Sequence, residues 1–578
     1  MSKFNRDSQP LPRTHRASSP MGTVVSPQAS DALIVPDTTT HEGGDGFTRN
    51  ARTELFLTCT SSFITENSFY ETGNERTARV VELTHAVVLE RDGLEWLLDF
   101  VTWLRGPEGN IRTAAIVVAT ETVRARIEAT LTTDGTGSTL PRRIIAAALQ
   151  RADEPGEMIA YWTSRYGRPI PNSVKRGVGD AVARLYTEYS MLKYDTPKSS
   201  VRFGDVLGLC RPQTPADKAV LFRHLVERRH PDWRDGGGQE LGKRGVSPEL
   251  RTVIARRELD AVPVKERRNL LDALRGEGLD VVLKNAGATW EYLSGWLSDG
   301  KGMDAAAWES VIPQMGYMAL LRNLRNFDEA GVSDEVAEQV AATIASRSEV
   351  ERSRQFPFRF LSAYEAAPSD RWKVPLGKAL GHCMGNLPEL NGSTLIMVDT
   401  SASMRNRMSD KSRRRMVDVA ALFGVALTYR NIGKVGLYIF GDRAAKHEVT
   451  RGGSVLNEVS KISNRLGEVG HGTQIRNSTM QAFGTGYHRV ILLSDMQGFG
   501  DGPVRHHLEA SYRNDVAHLS ELIPAHVPIY AFDLSGYAAG VIPAGGAARF
   551  QLGGLSDATF RMIPQVEAGL TGNWPWEK

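Results

Sequence analysis

The sequence predicts a multidomain chain in which an α-helical repeat region precedes a doubly wound, Rossmann-like α/β domain. The length of 578 residues exceeds the roughly 100–200 residues that one hydrophobic core usually organises. Apolar residues recur at helical spacing from about residue 50 to about residue 380. From about residue 388, short apolar runs alternate with helical segments instead, which is typical of a parallel sheet covered by helices.

Composition excludes several classes of protein. Hydrophobic residues make up 41% and charged residues 24% of the chain, as in soluble globular proteins and unlike disordered or fibrous ones. No apolar run approaches the roughly 18 residues of a transmembrane helix, and the N-terminus lacks the apolar core of a secretory signal. The three cysteines, Cys59, Cys210 and Cys383, lack the spacing of a disulfide framework or zinc module. We therefore expect a cytoplasmic protein without a membrane partner.

The helical part is predicted to span residues 49–387, after a flexible polar tail at residues 1–48. Its clearest helical patterns are Thr77–Leu89, Leu94–Leu104, Ile111–Leu131, Arg143–Leu149, Val174–Leu192, Lys218–Arg229, Glu266–Leu274, Trp308–Arg325 and Glu335–Ser346. No strict sequence period links them, which argues against ankyrin or tetratricopeptide repeats. Irregular helical pairs of the HEAT type remain open, because such pairs bury a continuous core without identical repeats.

The second domain is predicted to span residues 388–578. Its apolar strands are Thr394–Val398, Val435–Phe440, Val490–Leu493 and Pro528–Phe532, and Met416–Tyr429 reads as a buried helix. Doubly wound sheets bind ligands at the carboxyl ends of their strands. Polar residues follow two of these strands directly, so the site is expected there.

Five oxygen-bearing residues form a candidate metal site at these strand ends. Asp399, Ser401 and Ser403 follow the first strand at alternating positions, Thr473 lies in a glycine-rich loop, and Asp495 ends another strand. Carboxylate and hydroxyl oxygens suit Mg²⁺ or another divalent cation and are poor zinc ligands. The sequence offers no Walker A motif, GxSxG elbow or other catalytic apparatus beside them.

The order of these residues resembles the metal-ion-dependent adhesion site, and residues 390–578 resemble a von Willebrand factor A domain. The resemblance implies that Ser401, Ser403 and Thr473 bind Mg²⁺ directly, whereas Asp399 and Asp495 bind it directly or through water. It also implies an open metal position that an acidic residue of a partner fills. A vestigial site that only ties strand ends together remains the alternative.

Positive charge is concentrated in residues 161–230. Thirteen Lys or Arg and six Asp or Glu give this stretch a net charge of +7, whereas the whole chain carries +3. Seven aromatic residues lie among these charges: Tyr161, Trp162, Tyr166, Tyr186, Tyr189, Tyr194 and Phe203. Cations that neutralise phosphates and rings that stack on unpaired bases favour a nucleic-acid surface. The alternative is an aromatic core beneath a solvated face.

Three segments resemble the TROVE module: His41–Gly44 with Leu55–Phe69, Gln314–Arg325 and Arg347–Phe358. TROVE helices followed by an A domain resemble the Ro autoantigen family, in particular its bacterial or phage members. The resemblance implies a ring of HEAT-like repeats whose ends the A domain joins. It further implies small noncoding Y RNA on the basic outer surface, single-stranded 3′ ends of RNA in the central hole, and an exoribonuclease as a partner.

The resemblance and the charge together nominate RNA-binding residues. Lys175, Arg176, Lys193, Lys198 and Arg202 are predicted phosphate contacts. Arg322 and Arg325 are predicted to line the hole, although the same pattern fits a helix-packing seam. Cys210 stands where the family segment has a histidine implicated in Y RNA binding, and a thiol cannot make the same hydrogen bonds. We therefore expect a diverged, Y-like RNA.

The main hypothesis is a non-enzymatic, Ro-like protein that binds noncoding RNA in its quality control or processing. The alternative is a metal-dependent interaction scaffold whose A domain captures an acidic partner. A Mg²⁺-dependent nuclease is disfavoured, because phosphoryl cleavage commonly needs two metals or a base and the sequence suggests neither. The identity of the RNA and the oligomeric state are left open.

Overall fold

The structure is a computed structural model of the full chain. It describes residues 38–39, 45–46, 51–60, 73–107, 109–129, 139–273, 278–298, 300–367, 369–407, 414–450, 452–484, 486–495, 522–524, 526–534, 549–553, 557–571 and 574–576. Most of the predicted tail at residues 1–48 lies outside these ranges. Within it, the two-residue strands β1 (Thr38–Thr39) and β2 (Asp45–Gly46) pair antiparallel.

Helices fill the described residues from 51 to 383. In chain order they are α1 (Ala51–Thr60), α2 (Gly73–Leu89), α3 (Gly93–Arg105), α4 (Arg112–Glu128), α5 (Leu140–Ala148), α6 (Glu154–Tyr166), α7 (Asn172–Leu185), α8 (Glu188–Tyr194), α9 (Phe203–Cys210), α10 (Ala219–Arg229), α11 (Arg251–Ala261), α12 (Val264–Ala273), α13 (Leu279–Asn285), α14 (Trp290–Leu297), α15 (Ala305–Val311), α16 (Tyr317–Ala330), α17 (Asp334–Ala345), α18 (Arg347–Ser353), α19 (Pro357–Ala366) and α20 (Asp370–Cys383). The prediction of a helical region is confirmed.

Successive helices stack on one another along the chain. Helix α2 packs on α4, α3 on α5, and α5 on α7, and the buried apolar residues of these helices form one continuous cluster. The pattern at Val174–Leu192 forms two helices, because Thr187 leaves helical geometry and its side chain accepts a hydrogen bond from the Ser190 backbone at the start of α8. The prediction of a single helix there was wrong.

A six-stranded sheet follows the helices. Its strands are β3 (Thr394–Asp399), β4 (Val435–Phe440), β5 (Ala444–Lys446), β6 (Arg489–Ser494), β7 (Ile529–Asp533) and β8 (Arg549–Gly553), in the order β5-β4-β3-β6-β7-β8. All neighbouring pairs are parallel except β4 with β5. The four predicted strands are confirmed, and β5 and β8 are additional.

Both faces of this sheet are covered. Alternate residues of the central strand β3 enter separate cores: Ile396 and Val398 share one with helix α21 (Met416–Arg430), whereas Leu395 and Met397 share the other with α23 (Ile475–Ala482). Helix α22 (Val455–Ser463) packs on α21. Strands buried on both faces explain why the predicted strands are continuous apolar runs rather than alternating ones.

The last helix, α24 (Asp557–Thr571), contacts both ends of the helical series, packing on α1 and on α19. Its Phe560 lies 4.5 Å from Phe423 and 5.9 Å from Phe356, measured between ring centroids. Arg561 donates a hydrogen bond to the Pro107 carbonyl, just after α3. The C-terminal segment therefore joins the first helix of the series to α19, the last but one. Across the described parts of the chain, no helix combines the length and apolarity needed to cross a bilayer.

Candidate functional site

Two carboxylates meet where neighbouring parallel strands end. Asp399 is the last residue of β3, and Asp495 follows the last residue of β6. These strands pair in register, with Val398 opposite Leu493, so both carboxylates lie at the same edge of the sheet. Asp399 is fully buried and Asp495 is 1% exposed.

Hydrogen bonds fix the Asp399 carboxylate. Its Oδ1 accepts the Ser401 backbone N–H at 2.8 Å, and its Oδ2 accepts the Ser494 hydroxyl at 2.6 Å. The Ser401 and Ser403 hydroxyl oxygens lie 3.2 Å apart. The chain after β3 therefore turns so that one carboxylate and two hydroxyls converge, as the alternating spacing predicts.

Thr473 reaches this edge on the loop between α22 and α23. The Ala402 backbone N–H donates to the His471 carbonyl of this loop at 3.2 Å, and Gly467 N–H donates to the Thr400 carbonyl at 2.8 Å. Thr473 is 1% exposed. The loop thus packs directly against the segment that carries Ser401.

Asp442 holds the same loop from its other side. Its Oδ1 accepts the Gly472 backbone N–H at 3.1 Å. Gly470 has a φ of +107°, and a Cβ there would lie 2.0 Å from Asp442 Oδ2, so only glycine fits. Sequence reasoning missed Asp442 and Ser494, because neither belongs to the ligand pattern and each acts through a contact between distant segments.

Burial, with a smaller contribution from the Asp495 charge, raises the pKa of Asp399 from 3.8 to about 7, against the hydrogen bonds from Ser494 and Ser401. Two buried carboxylates repel each other, and a divalent cation between them would relieve that repulsion. Among the described residues, no group of three or more His, Cys, Asp or Glu side chains could hold a metal. Two carboxylates and three hydroxyls lie at this edge, and such oxygen donors fit a hard cation such as Mg²⁺.

The predicted RNA contacts lie on the helical region around α7, α8 and the start of α9. Arg176, Lys193 and Lys198 are exposed and Lys175 is half-buried. None of these four forms an ion pair with a carboxylate that the structure describes. The fifth residue, Arg202, differs: its guanidinium binds the buried Asp195 carboxylate at 2.7 and 3.2 Å, so the geometry gives it a structural role.

Most of the aromatic residues among these charges belong to the core, which was the alternative interpretation. Tyr161, Trp162, Tyr186 and Phe203 are each at most 4% exposed, and Tyr186 stacks on Phe203 at 3.9 Å. Tyr189 is exposed. The four buried rings pack in the helix interfaces, where burial of apolar ring area is favourable, so they are not available to stack on bases.

Arg322 and Arg325 occupy the exposed face of α16, whose other face buries Leu320, Leu321 and Leu324. They therefore lie outside the helix-packing seam. Arg325 pairs with Glu329 at 2.6 Å. The predicted helix Trp308–Arg325 is interrupted by a 3₁₀ turn at Ile312–Gln314 and by Gly316, since Pro313 cannot continue an α-helix.

Comparison with known proteins finds one matching family model and one similar fold. Residues 285–411 match the model of the TROVE domain, from the end of α13 to beyond Ser403. A crystal structure of the Ro (Rsr) protein of Deinococcus radiodurans superposes with a TM-score of 0.63 and 14% identity, covering 90% of this chain and 100% of that one. The chain therefore contains a TROVE-like segment and shares the fold of this Ro protein.

A shorter similarity reaches telomerase protein component 1 of Mus musculus and of Rattus norvegicus, each 40% identical over 68 residues. The aligned part is 11% of this chain and 3% of those proteins. The matched segment spans only a small fraction of these curated relatives.

Proposed function

We propose that this protein binds noncoding RNA, of the Y or Y-like kind, through the cationic surface that Lys175, Arg176, Lys193 and Lys198 form. The observation that carries the proposal is the set of cations in α7–α9 without carboxylate partners among described residues. The chain also has a segment that matches the TROVE domain and the fold of a Ro protein, and the Ro and TROVE family is known to bind RNA. Unpaired cations release counterions when they meet phosphates, which supplies most of the affinity for RNA.

A second part of the proposal concerns single-stranded 3′ ends. If the helices close into a HEAT-like ring, as the contacts of α24 with α1 and α19 support, the exposed Arg322 and Arg325 are candidates to line its hole. A hole that passes one strand but not a duplex selects free ends by shape. The protein would then act in RNA quality control or processing, as a cytoplasmic scaffold for an exoribonuclease and without catalysis of its own.

The cationic surface differs in detail from the family pattern at Cys210. This residue is 6% exposed, and burial raises the pKa of its thiol to about 12. It therefore stays protonated and turned inward, where the family segment has a histidine. This supports a diverged RNA ligand that is held by charge more than by side-chain hydrogen bonds.

The test is RNA affinity as a function of salt. We expect a structured RNA with a single-stranded tail to bind tightly at low salt and to weaken steeply as salt rises. Reversal of Lys175, Arg176 and Lys193 to Glu should reduce the affinity and flatten the salt slope by about 0.7–0.9 per lost contact. A control variant reverses Lys265, Lys378 and Lys434, which are also exposed. Equal losses in both variants, or a salt-independent affinity, would refute the proposal.

A second candidate function rests on the edge of the sheet. The convergence of Asp399, Ser401 and Ser403 beside Asp495 supports an A domain with a metal-ion-dependent adhesion site. Mg²⁺ held there would offer an open position to a carboxylate of a protein partner. We propose that this site recruits an acidic partner, such as the exoribonuclease, independently of RNA. Asp399→Ala with Ser401→Ala should abolish chelator-sensitive capture of that partner and leave RNA affinity unchanged.

A further inference from the structure

The segment that follows the candidate metal donors on β3 is rich in arginine. The structure describes four of its arginines: Arg405, Arg407, Arg414 and Arg415. A 3₁₀ turn opens the segment at Ala402–Arg405, and residues 407 and 415 pair in an antiparallel bridge. The Met416 backbone N–H donates to the Asn406 carbonyl at 2.9 Å. The two ends of the segment are therefore held together directly after Ser403.

Two of these arginines stabilise the fold. Arg414 donates to the Glu365 carboxylate at 2.7 Å and to the Ser362 hydroxyl at 2.8 Å, both on α19. Arg415 donates to the Asp418 carboxylate at 2.7 and 3.0 Å, in the first turn of α21. The charges of both arginines are therefore compensated, and their side chains tie the segment to neighbouring helices.

Arg405 and Arg407, which we call the rim arginines, differ from the other two. Both are exposed, and neither pairs with a carboxylate that the structure describes. Met404, between Ser403 and Arg405, is fully buried, and the Asn406 backbone N–H donates to the Ser403 carbonyl at 2.9 Å. The buried Met404 anchors the turn, and the turn keeps Arg405 beside a candidate metal donor.

Other exposed charges near this edge of the sheet balance one another. Asp442 and Arg443 are adjacent, exposed and opposite in charge. The Asp442 carboxylate accepts the Gly472 backbone N–H at 3.1 Å, and Arg443 donates to the Glu468 carbonyl at 3.2 Å. The Glu468 carboxylate pairs with Arg465 at 2.7 Å. The rim arginines therefore give the exposed part of this edge its excess positive charge.

The spacing of the rim arginines matches an extended peptide. Ser403, Arg405 and Arg407 follow one another at intervals of two residues, so neighbouring Cα atoms of this set lie at most about 7 Å apart. In an extended peptide, alternate side chains point to the same side and recur about every 7 Å. Guanidinium groups bind carboxylates through two parallel N–H donors. Acidic residues at alternate positions of a partner therefore fit a carboxylate position at the metal followed by the rim arginines.

The number of free charges favours a protein segment over RNA as the ligand. RNA-binding surfaces draw their affinity from many phosphate contacts, commonly about 6–10. Two rim arginines are too few for such a ligand, and the carboxylates of Asp399, Asp495 and Asp442 repel a phosphate strand. A peptide carboxylate at the metal position needs only a few further ion pairs to gain selectivity.

We propose that Arg405 and Arg407 extend the candidate metal site into a surface for an extended acidic segment of a partner protein. One carboxylate of the segment faces the metal position, and the carboxylates at the next alternate residues pair with the rim arginines. This inference rests on the proposed metal site and names the class of partner that the site takes. The rim arginines make the site select a run of alternating acids over a single acid.

The test measures peptide binding to the full-length protein in Mg²⁺ by fluorescence anisotropy. Two labelled, end-blocked Gly/Ser peptides have the same composition and contain three Asp residues, at alternate positions in one and widely spread in the other. We expect the alternating peptide to bind about five- to tenfold more tightly, since each exposed ion pair contributes about threefold. Arg405→Gln with Arg407→Gln should reduce this preference to about twofold or less and leave the affinity for the spread peptide nearly unchanged.

Lys434→Gln with Arg347→Gln is the matched control, because it also removes two exposed cations. Lys434 directly precedes β4 and lies at the opposite edge of the sheet, whereas Arg347 begins α18. This variant should retain the full preference. The Mg²⁺-induced rise in melting temperature, measured in both double variants, should equal that of the wild type, since neither variant changes a candidate metal donor.

The possible outcomes separate this inference from the proposed function. Equal binding of the two peptides, or a preference that survives the loss of both rim arginines, would overturn the role of the rim arginines and leave the metal site intact. Failure of both peptides to bind, or binding of the spread peptide that a chelator does not weaken, would refute the metal site and this inference with it. A uridine oligonucleotide that binds through the rim arginines more tightly than the alternating peptide would overturn the assignment to a protein segment.

Discussion

Trp574 and Trp576, the C-terminal tryptophan pair, stack on each other and insert among aromatic rings of the first helices. Their ring centroids are 5.6 Å apart, and the two ring planes are nearly parallel. The Trp576 ring has four further aromatic neighbours, with centroid distances of 5.5 Å to Trp96, 5.8 Å to Phe100, 5.9 Å to Trp103 and 6.2 Å to Phe56. The pair thus binds the end of the chain to α1 and α3.

Trp576→Ala removes five aromatic contacts at once. A fully buried tryptophan truncated to alanine costs about 3–5 kcal/mol, and each aromatic pair contributes about 0.5–1.5 kcal/mol beyond buried area. Because Trp576 is half-buried, we expect a loss of about 2 kcal/mol. The double variant with Trp574→Ala should lose about 3 kcal/mol, less than twice the single loss, because the two rings contact each other.

Hydrogen exchange measured by mass spectrometry locates the loss. The amides of α1 and α3 should exchange faster in Trp576→Ala, by about the factor of 30 that 2 kcal/mol implies, whereas the amides of β3 and β6 should change little. Urea unfolding followed by circular dichroism gives the total free-energy loss. Trp233→Ala is the control, since Trp233 is 57% exposed and should cost less than about 0.5 kcal/mol. Unchanged exchange in α1 and α3 would show that the tryptophan pair does not hold the C-terminal segment against these two helices.

Three further outcomes are expected. Mg²⁺ should raise the melting temperature of the wild-type protein but not that of the double variant Asp399→Ala, Ser401→Ala. An equal rise in both proteins would contradict the metal site. Asp370→Ala, at an exposed carboxylate, is the control and should respond to Mg²⁺ as the wild type does. Glu121→Gln should destabilise the protein by about 1–3 kcal/mol at pH 7: burial raises the Glu121 pKa, but hydrogen bonds from His85, Tyr166 and Tyr161 outweigh it and lower the pKa below 4.5. The stabilisation is therefore present above pH about 4.5 and is lost as the pH falls through the folded-state value, so unfolding curves of the two proteins should converge in acid. Gly470→Ala should remove Mg²⁺ binding without unfolding the sheet, because a Cβ at residue 470 clashes with Asp442 and displaces the loop that carries Thr473. Mg²⁺ binding retained in this variant, measured by calorimetry, would contradict the placement of Thr473 at the metal site.

The apolar pattern of the sequence predicted the helices and strands that are apolar along most of their length. Met416–Tyr429 and Val435–Phe440 are of this kind, and both elements lie within one residue of the expected bounds. The errors fall where one residue interrupts a pattern. Thr187 and Pro313 each break a helix that the apolar spacing alone would continue. A capping side chain and a missing backbone N–H therefore override several favourable apolar positions.

The candidate site shows the same division. Asp399, Ser401 and Ser403 could be found from spacing, because all three leave one strand and converge locally. The partners that orient them could not be found this way. Ser494 lies 95 residues along the chain from Asp399. Its role depends on the pairing of β6 beside β3, and the spacing of apolar residues in the sequence does not predict which strands pair.

The cationic surface illustrates how charge counts become specific only in three dimensions. Residues 161–230 carry thirteen basic residues, yet Arg202 and Arg228 share the buried Asp195 carboxylate, and Arg229 binds Asp205. Those cations hold α8, α9 and α10 together. Because they are compensated, the field at the surface comes from the cations that pair with no carboxylate in the described ranges, among them Lys175, Arg211 and Arg223. Substituting a compensated arginine should therefore lower stability first and RNA affinity only as a consequence, whereas substituting an uncompensated one should lower RNA affinity at unchanged stability. The ratio of the two effects, measured residue by residue, distinguishes the RNA surface from the scaffold beneath it.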